Sequence, residues 1–594
     1  MNGMARAALG SVVGAGLAAW AAPLIRPLFS VPATGVGAIT VSAYPKSWDY
    51  AVVALLVFGA FAGGALASWT ASRLVSEPLP SNAPLGRRWR LSAIAAVVFL
   101  LMVLIHDHPY AHMDPFHEGE HLTAGWLMKS GERPYRDFFI FHGLATDAGL
   151  DALSLGDPPS PLGPRRLQTV LDAATLALLV PIAAELTVTA TGLILALLLS
   201  LCACAALWLP VFPYFRLAPV LLAVLGLLRY ARKGGHAPLF LAFAASSLGI
   251  LWSFDVGMYA LAGTTAAMIA LRAFKLETKP LPLLRVLALA AIAALLPLLM
   301  LVAVRADLER FFVDTFVILP AAIDAVWALP APQPLTANGV RYYLPPVFYG
   351  FLLVLALLAL RRGDRQTAAR IGILTIFSVL LFRTAAGRVS WSHTRFAMPL
   401  LGIAVMAFVL EPLLHSRASA WRRFTVVGLL AIPLFFYFEI RENVVAGAKL
   451  LAGWSSRQRH EGLVPYPLET GRGIYTSREN AADLTALAQA IDSLGPRDAT
   501  ILDFSNERAL YYLLQRKPAL RCMEISMLSV PRLLSEAMAQ LNANPPLCVI
   551  VSGHAEIAAF DGVSNRDRVP ALAQWIDATY PNRRQLGRFV LATR

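Results

Sequence analysis

The chain has 594 residues, of which 57% are hydrophobic and only 15% are charged. Soluble proteins carry roughly 25% charged residues, so the composition excludes an ordinary soluble domain and indicates a polytopic membrane protein. The formal net charge is +14, but the basic residues lie in short loops between apolar runs, which is typical of membrane topology and argues against a nucleic-acid partner.

The first apolar run, at about 7–29, follows Arg6 and resembles a signal peptide as far as Ala22. Because the apolar residues continue to Phe29, we expect an uncleaved first membrane span. Twelve further runs approach the length of about 17–25 residues that a spanning helix needs. They lie at about 50–72, 91–106, 168–190, 192–211, 217–231, 237–252, 254–272, 283–304, 346–361, 371–384, 397–414 and 424–440.

The basic residues between these runs support one orientation. With the N-terminus inside, every cluster lies on the cytoplasmic side, as the positive-inside rule requires. The clusters are Arg87, Arg88 and Arg90; Arg229, Arg232 and Lys233; Arg272, Lys275 and Lys279; Arg361, Arg362, Arg365 and Arg370; and Arg417, Arg422 and Arg423. We therefore predict about 13 transmembrane helices, with polar segments outside at about 107–167, 305–345, 383–396 and from 441 onwards.

The region from about 441 onwards predicts a small soluble α/β domain. Its helices are expected at 480–494, 507–516, 531–542 and 570–579, and its strands at 500–504, 520–525, 547–552 and 587–592. Such alternation favours a largely parallel sheet. Cys522 and Cys548 would pair if this domain is exported, or would be buried free thiols; their spacing does not decide between the two.

The first external segment opens with a dense group of acids and imidazoles, His112-Met-Asp114-Pro-Phe-His117-Glu118-Gly-Glu120-His121. Asp114 follows the third apolar run closely, so it is expected at the water boundary. A carboxylate there can act as a general base on a sugar hydroxyl. Asp137 is a second acid in the same segment. A simpler interpretation is that Asp114 caps the helix after Pro115.

The same stretch also contains an H-E-x-x-H pattern, in which His117 and His121 could hold zinc with Glu118 as base. Gly119 lies inside the pattern and costs about 1 kcal/mol in a helix, and no third ligand stands out. The histidines are therefore more simply polar residues of a loop and helix. Whether the chain uses a divalent metal stays open at this point.

Basic residues at other external helix ends suit a phosphate, because arginine forms paired hydrogen bonds with phosphate oxygens. The phosphate-binding candidates are Arg341, Arg388, His393 and Arg395. The alternative for Arg388 and Arg395 is that they anchor helix ends at the membrane surface.

Four short motifs resemble the GT-C class of integral-membrane glycosyltransferases, in particular the bacterial branch related to protein mannosyltransferases, aminoarabinose transferases and arabinofuranosyltransferases. They are Asp114 after a transmembrane run, Gly131-Glu-Arg-Pro-Tyr135-Arg-Asp137-Phe-Phe, Trp252-Ser-Phe-Asp255-Val-Gly and Arg388-Val-Ser-Trp-Ser-His393. Together with the predicted topology, the resemblance extends over most of residues 91–440 and the small external domain.

The resemblance implies a GT-C fold, a polyprenyl-phosphate-linked sugar as donor, and inversion at the anomeric carbon with Asp114 as general base. Glu118 and Asp137 would be supporting acids that position the acceptor or a divalent ion. His117, His142 and Asp255 would support acceptor binding. The acceptor would be an extracytoplasmic glycan, lipid or protein.

This interpretation divides the chain into two extra N-terminal transmembrane helices at 1–90, a GT-C catalytic core at 91–440 and an extracytoplasmic α/β domain at 441–594. The expected location is a bacterial inner membrane. A zinc peptidase and a lipid or glycan transporter remain alternatives. A transporter requires ionisable residues within spans, for which Asp172 and Glu185 are the candidates. The clustering of charge at one face favours the enzyme.

Overall fold

The computed structural model describes residues 3–28, 46–69, 88–105, 113–205, 213–322, 326–333, 336–388, 391–394, 396, 398–414, 462–552, 559–560 and 562–594. The helices before residue 414 are α1 (Gly3–Ile25), α2 (Ser47–Trp69), α3 (Arg88–Ile105), α4 (His117–Lys129), α5 (Leu150–Ser154), α6 (Leu162–Ala177), α7 (Leu179–Leu186), α8 (Ala190–Ala205), α9 (Ala218–Lys233), α10 (His236–Trp252), α11 (Phe254–Ala273), α12 (Leu283–Ala303), α13 (Leu308–Val313), α14 (Leu319–Ala322), α15 (Ala337–Arg361), α16 (Arg365–Gly387), α17 (Trp391–Thr394), α18 (Met398–Val405) and α19 (Glu411–Leu414). Short 3₁₀ or π turns extend several of them, among them Ala145–Gly149 before α5.

The protein is a polytopic α-helical membrane protein with a small C-terminal α/β domain. Among the described residues, eight helices are long and apolar enough to cross a membrane: Arg6–Ile25, Ser47–Trp69, Leu162–Leu186, Tyr214–Lys233, Phe254–Ala273, Leu283–Ala303, Asn338–Arg361 and Arg365–Gly387. Shorter apolar helices cover Arg90–Val103, His236–Trp252 and Met398–Leu410. Each of the first twelve predicted runs coincides with helix, and the run at 424–440 lies outside the described residues.

Two of the predicted cytoplasmic basic clusters meet at one end of the helix bundle. At this end, Arg232 pairs with Glu185, and Gln366 donates to the carbonyl of Ala231. These contacts gather basic loops that are far apart in sequence. At the other end lie the polar segments predicted to be external, where Arg388 donates to the carbonyl of Trp327. The side of the membrane that each end faces stays a prediction.

The first two helices pack through glycines. A Cβ on Gly14 would lie 2.0 Å from the carbonyl oxygen of Gly59, and one on Gly63 would lie 2.2 Å from that of Gly10. Gly10 and Gly14, like Gly59 and Gly63, are four residues apart, which is the spacing that lets transmembrane helices approach closely. Helix α2 packs in turn on α15, so the N-terminal pair is joined to the rest of the bundle.

The C-terminal domain contains α20 (Arg478–Leu494), α21 (Ala509–Leu514), α22 (Pro531–Ala543), α23 (Asn565–Arg568) and α24 (Pro570–Thr579). Its strands are β1 (Leu463–Pro465), β2 (Tyr475–Ser477), β3 (Leu502–Asp503), β4 (Val549–Ser552), β5 (Ala559–Phe560), β6 (Val563–Ser564), β7 (Asn582–Leu586) and β8 (Phe589–Thr593). The main sheet has the order β3-β4-β8-β7.

The prediction of a largely parallel sheet is wrong. In the part of this sheet that the structure describes, β3 and β4 run parallel, whereas β8 pairs antiparallel with both β4 and β7. The sequence missed β7 because its residues are mostly exposed and carry no apolar alternation. The strand predicted at 520–525 is also wrong: the carbonyl of Arg521 accepts the N–H of Phe139 from the first polar segment, and a 3₁₀ turn follows at Ile525–Ser529.

The C-terminal domain shares a hydrophobic core with the first polar segment. Leu122 and Trp126 of α4 belong to the same buried cluster as Leu510 and Phe589. The domain therefore lies directly on the polar end of the bundle. Cys522 and Cys548 are separate buried thiols, which settles the two alternatives left open by their spacing.

Candidate functional site

The start of α4 is fixed by Asp114. Its Oδ1 accepts the N–H groups of Phe116 and His117, each at 3.0 Å, so the carboxylate satisfies donors that the helix leaves free. Its Oδ2 lies 2.9 Å from Nδ1 of His117. Burial opposes ionisation of this carboxyl, but its hydrogen bonds to His117 and Phe116 outweigh burial and lower the pKa of Asp114. The capping interpretation therefore describes this side chain, which also orients an imidazole.

The three residues of the H-E-x-x-H pattern have three different partners. Glu118 is buried and receives two hydrogen bonds of 2.7 Å from Arg165 of α6. His117 contacts Asp114, and His121 contacts Asp151 of α5. Because Glu118 is neutralised by a paired guanidinium, it is not placed as the base of a zinc peptidase.

A cavity of about 670 Å³ lies at the polar end of the bundle. Its lining includes a set of acids and imidazoles, which we call the acidic wall, and the arginines with His393, which we call the basic wall, as well as apolar side chains. The acidic wall consists of His117, Glu120, His121, His142, Asp147, Asp151, Asp255 and Glu524. The arginines are Arg216, Arg383 and Arg388. The apolar lining includes Leu167, Leu171, Met258, Tyr259, Leu319 and Trp327.

His142 joins two carboxylates on the acidic wall. Its Nδ1 lies 2.8 Å from Oε1 of Glu120 and 3.3 Å from Oδ1 of Asp147. Burial opposes the charged imidazole, but the two carboxylates prevail and raise the pKa of His142 to about 10. The pKa of Glu120 is lowered in turn, because Arg508 and His142 outweigh its burial. The group is thus held together by its own charges at neutral pH.

This trio is also the only group of metal-ligand type within the described ranges, with candidate ligand atoms within 4.8 Å of one another. Metal binding requires a neutral imidazole, whereas the surroundings of His142 favour the protonated form. Asp147 already accepts the N–H groups of Phe141 and His142 through Oδ2. The residues therefore fit an internal ion pair better than a divalent cation.

The first polar segment meets the motif that begins at Trp252 on this wall. A Cβ on Gly143 would lie 2.9 Å from the carbonyl oxygen of Trp252, so the absence of a side chain lets the loop after His142 reach the junction of α10 and α11. There, Oδ1 of Asp255 accepts hydrogen bonds from Arg216 at 2.8 Å and from Ser253 at 2.9 Å. The cavity thus combines segments more than 100 residues apart.

The basic wall contains two of the predicted phosphate ligands. Arg388 follows the last turn of α16, and its Nη1 donates to the carbonyl of Trp327 at 3.1 Å. His393 lines the cavity nearby. Burial and the charge of Arg388 lower the pKa of His393 to about 3, so at neutral pH this imidazole is uncharged and can donate one hydrogen bond. Arg383, one turn before the end of α16, completes the wall.

Other predicted site residues lie elsewhere. Asp114 and Glu118 are next to the cavity but do not line it, and neither does Arg341, whose Nη1 contacts Asn338. Asp137 lies beside Arg136 in a separate cleft against the C-terminal domain. Arg395 lies outside the described residues. Asp172, a transporter candidate, is buried in a span and accepts the N–H of Phe215 at 2.7 Å.

Sequence reasoning assigned no role to several residues of the site. They are Glu120, Asp147, Asp151, Arg216, Arg508 and Glu524. Asp147 and Asp151 are four residues apart, a spacing that places two acids on one helical face. This spacing could have indicated both acids as candidate site residues. Arg508 could not be found from the sequence, because its partner Glu120 is 388 residues away, and Glu524 pairs with the same arginine.

No protein-family model and no curated protein matches the chain. Among solved structures, it is similar to ArnT. That structure, from Cupriavidus metallidurans bound to undecaprenyl phosphate, is 14% identical with a TM-score of 0.44, over 85% of this chain and 97% of ArnT. The structure of ArnT in the apo state is 13% identical to this chain, with a TM-score of 0.44 over the same shares of the two chains. Arabinosyltransferase EmbB from Mycobacterium smegmatis is 13% identical with a TM-score of 0.37, over 89% of this chain and 47% of EmbB.

Proposed function

We propose that the protein is a membrane glycosyltransferase that transfers a sugar from a polyprenyl-phosphate donor to a hydroxyl acceptor, with inversion at the anomeric carbon. The observation that carries the proposal is the cavity, whose lining combines arginines with carboxylates and imidazoles. A phosphate leaving group and an acceptor hydroxyl need opposite electrostatic surroundings, and this site supplies both within about 670 Å³.

The basic wall suits the phosphate of the donor. Arg383 and Arg388 offer guanidinium donors, which stabilise the charge that grows on a departing phosphate. Neutral His393 adds a hydrogen-bond donor without increasing repulsion between the arginines. Apolar side chains such as Met258 and Trp327 line the same cavity and suit the first isoprene units of a lipid.

The acidic wall suits the acceptor. Asp255 is 31% exposed although Arg216 holds one of its oxygens, so its carboxylate can accept a sugar hydroxyl. The base function is proposed to depend on Asp114, which lies at the edge of this wall. Glu118 supports it, since its Oε2 accepts the N–H of Asp114 at 2.8 Å. Asp137 braces the same segment by accepting the N–H of Arg133.

The polar end of the bundle and the C-terminal domain are proposed to face the exterior of a bacterial inner membrane. The support is the opposite end of the bundle, where Arg229 and Arg232 both lie beside Glu185, because basic residues collect in cytoplasmic loops. On this arrangement the acceptor is an envelope glycan, lipid or protein.

The test uses the purified full chain with undecaprenyl-phosphate hexoses, pentoses and aminopentoses, together with extracted envelope lipids and glycans as acceptors. The expected result is release of undecaprenyl phosphate and a product of inverted anomeric configuration, with or without chelator. Cleavage of a peptide instead would support a peptidase. Loss of transfer on chelation, restored by a divalent cation, would show that the Glu120, His142 and Asp147 group holds a metal.

A further inference from the structure

His117 links the Asp114 carboxylate to the cavity. The imidazole lines the cavity and is 37% exposed, whereas Asp114 is 29% exposed and does not line it. The two side chains are joined through Nδ1 of His117 and Oδ2 of Asp114, 2.9 Å apart. A carboxylate at Nδ1 favours the tautomer that carries its proton on that nitrogen, which leaves a lone pair on Nε2.

We propose that Nε2 of His117 is the general base and that Asp114 is its positioning residue. The inference rests on the proposed function. As the acceptor oxygen bonds to the anomeric carbon, its proton passes to Nε2. The bond between that carbon and the donor phosphate oxygen breaks, and polyprenyl phosphate leaves with the bonding electrons. The imidazolium then loses its proton to water.

Asp114 is held in the orientation that this role needs. Its Oδ1 is occupied by the N–H groups of Phe116 and His117, so Oδ2 is the oxygen that meets the imidazole. Its own N–H donates to Glu118, which Arg165 fixes through two hydrogen bonds. Phe116 packs edge-on against the His117 ring at 4.7 Å. These contacts allow little rotation of the carboxylate or the ring.

The other charges around His117 are already paired. Glu120, on the next turn of α4, contacts His142 and Arg508. Arg508, from the C-terminal domain, lies over the Phe116 ring at 4.2 Å and also pairs with Glu524. Asp255, also on the cavity lining, is paired with Arg216, and His121 with Asp151. Asp114 is thus the acid in direct contact with His117.

The decisive comparison is between His117→Ala, Asp114→Asn and the double variant, assayed by release of undecaprenyl phosphate from the donors above. Asparagine keeps the helix cap but presents an amide to Nδ1 and favours the wrong tautomer. Each single variant should slow transfer about 10²–10⁴-fold, and the double variant should be no slower than His117→Ala, since the residues act as a unit. His236→Ala, at the opposite end of the bundle, is the matched control.

Two further measurements distinguish a catalytic role of His117 from a purely structural one. Added imidazole should restore transfer in His117→Ala, and the fall in rate at low pH that we expect of the wild type should be absent from that variant. The inference is overturned if the wild type transfers sugar and His117→Ala transfers equally fast, or if Asp114→Asn slows His117→Ala as much as it slows the wild type. Absence of transfer in the wild type would instead overturn the proposed function and this inference with it.

Discussion

Nη2 of Arg508, in the C-terminal domain, lies 3.0 Å from Oε2 of Glu120 on the cavity wall. The guanidinium is 1% exposed, and its Nη1 pairs with Glu524, another residue that lines the cavity. The backbone follows the same path, because the N–H of Ala509 donates to the carbonyl of Pro115 at 3.0 Å. The C-terminal domain is therefore part of the site wall.

Removing the Arg508 charge should destabilise the protein strongly. In Arg508→Met, Glu120 and Glu524 remain buried without their shared partner, a change that typically costs about 3–5 kcal/mol. Thermal unfolding of the purified protein in detergent measures the effect. Arg566→Met is the matched control, because Arg566 and its partner Asp577 are about half exposed and such pairs contribute about 0–1 kcal/mol. Equal unfolding temperatures for the two variants would contradict the wall assignment.

Gly119→Ala should loosen the contact between α4 and the C-terminal domain. A Cβ at this position would lie 2.1 Å from the backbone nitrogen of Ala509, and backbone cannot move aside as a side-chain end can. The expected result is faster protease cleavage around residue 509 at an unchanged helix content. Gly372→Ala is the control, since a Cβ there meets nothing within 4 Å; similar cleavage of both variants would argue against the contact.

Arg388→Gln should weaken binding of undecaprenyl phosphate. A charged hydrogen bond contributes about 1.5–3 kcal/mol, so we expect a loss of affinity of roughly tenfold or more. The affinity of the wild type should also fall with salt. Arg362→Gln, which removes an exposed arginine at the opposite end of the bundle, should bind like the wild type. Unchanged affinity in Arg388→Gln would exclude this arginine as a phosphate ligand.

The contribution of His142 to stability should depend on pH in a defined window. Its pKa is raised from 6.5 to about 10 in the folded protein. A raised pKa stabilises the folded state fully below 6.5, and this contribution disappears as the pH rises towards about 10. The difference in unfolding temperature between wild type and His142→Gln should therefore shrink across this window. A difference that grows with pH would contradict the ion-pair assignment.

Hydropathy predicted the membrane helices well, because burial in lipid requires long apolar runs whatever the tertiary contacts. The C-terminal sheet was predicted less well. Strand β7 pairs through its backbone while most of its side chains face solvent. Its sequence therefore lacks the alternation of apolar and polar residues that predicts a strand. The segment from Leu520 to Ile525 has the apolar composition of a strand. However, Arg521 within it binds Asp314 and Glu536, and these contacts hold the segment outside the sheet.

The sequence singled out several segments that line the cavity, but not the pairings within them. Asp114 and His117 are three residues apart, and their contact could have been anticipated from helical spacing. The basic partner that neutralises each buried acid could not have been anticipated in this way. Glu118 and Arg165 are 47 residues apart, and Glu120 and Arg508 are 388 apart, so only the folded chain separates the paired carboxylates from those available to substrate.

The central claim is that sugar leaves a polyprenyl phosphate in this cavity. The most direct measurement is the initial rate of undecaprenyl phosphate release by wild type, Arg388→Gln and Arg362→Gln, side by side with the donor that the wild type uses best. We predict equal rates for wild type and Arg362→Gln, and a rate at least about tenfold lower for Arg388→Gln. Equal rates for all three proteins, or no release from any donor, would contradict the claim.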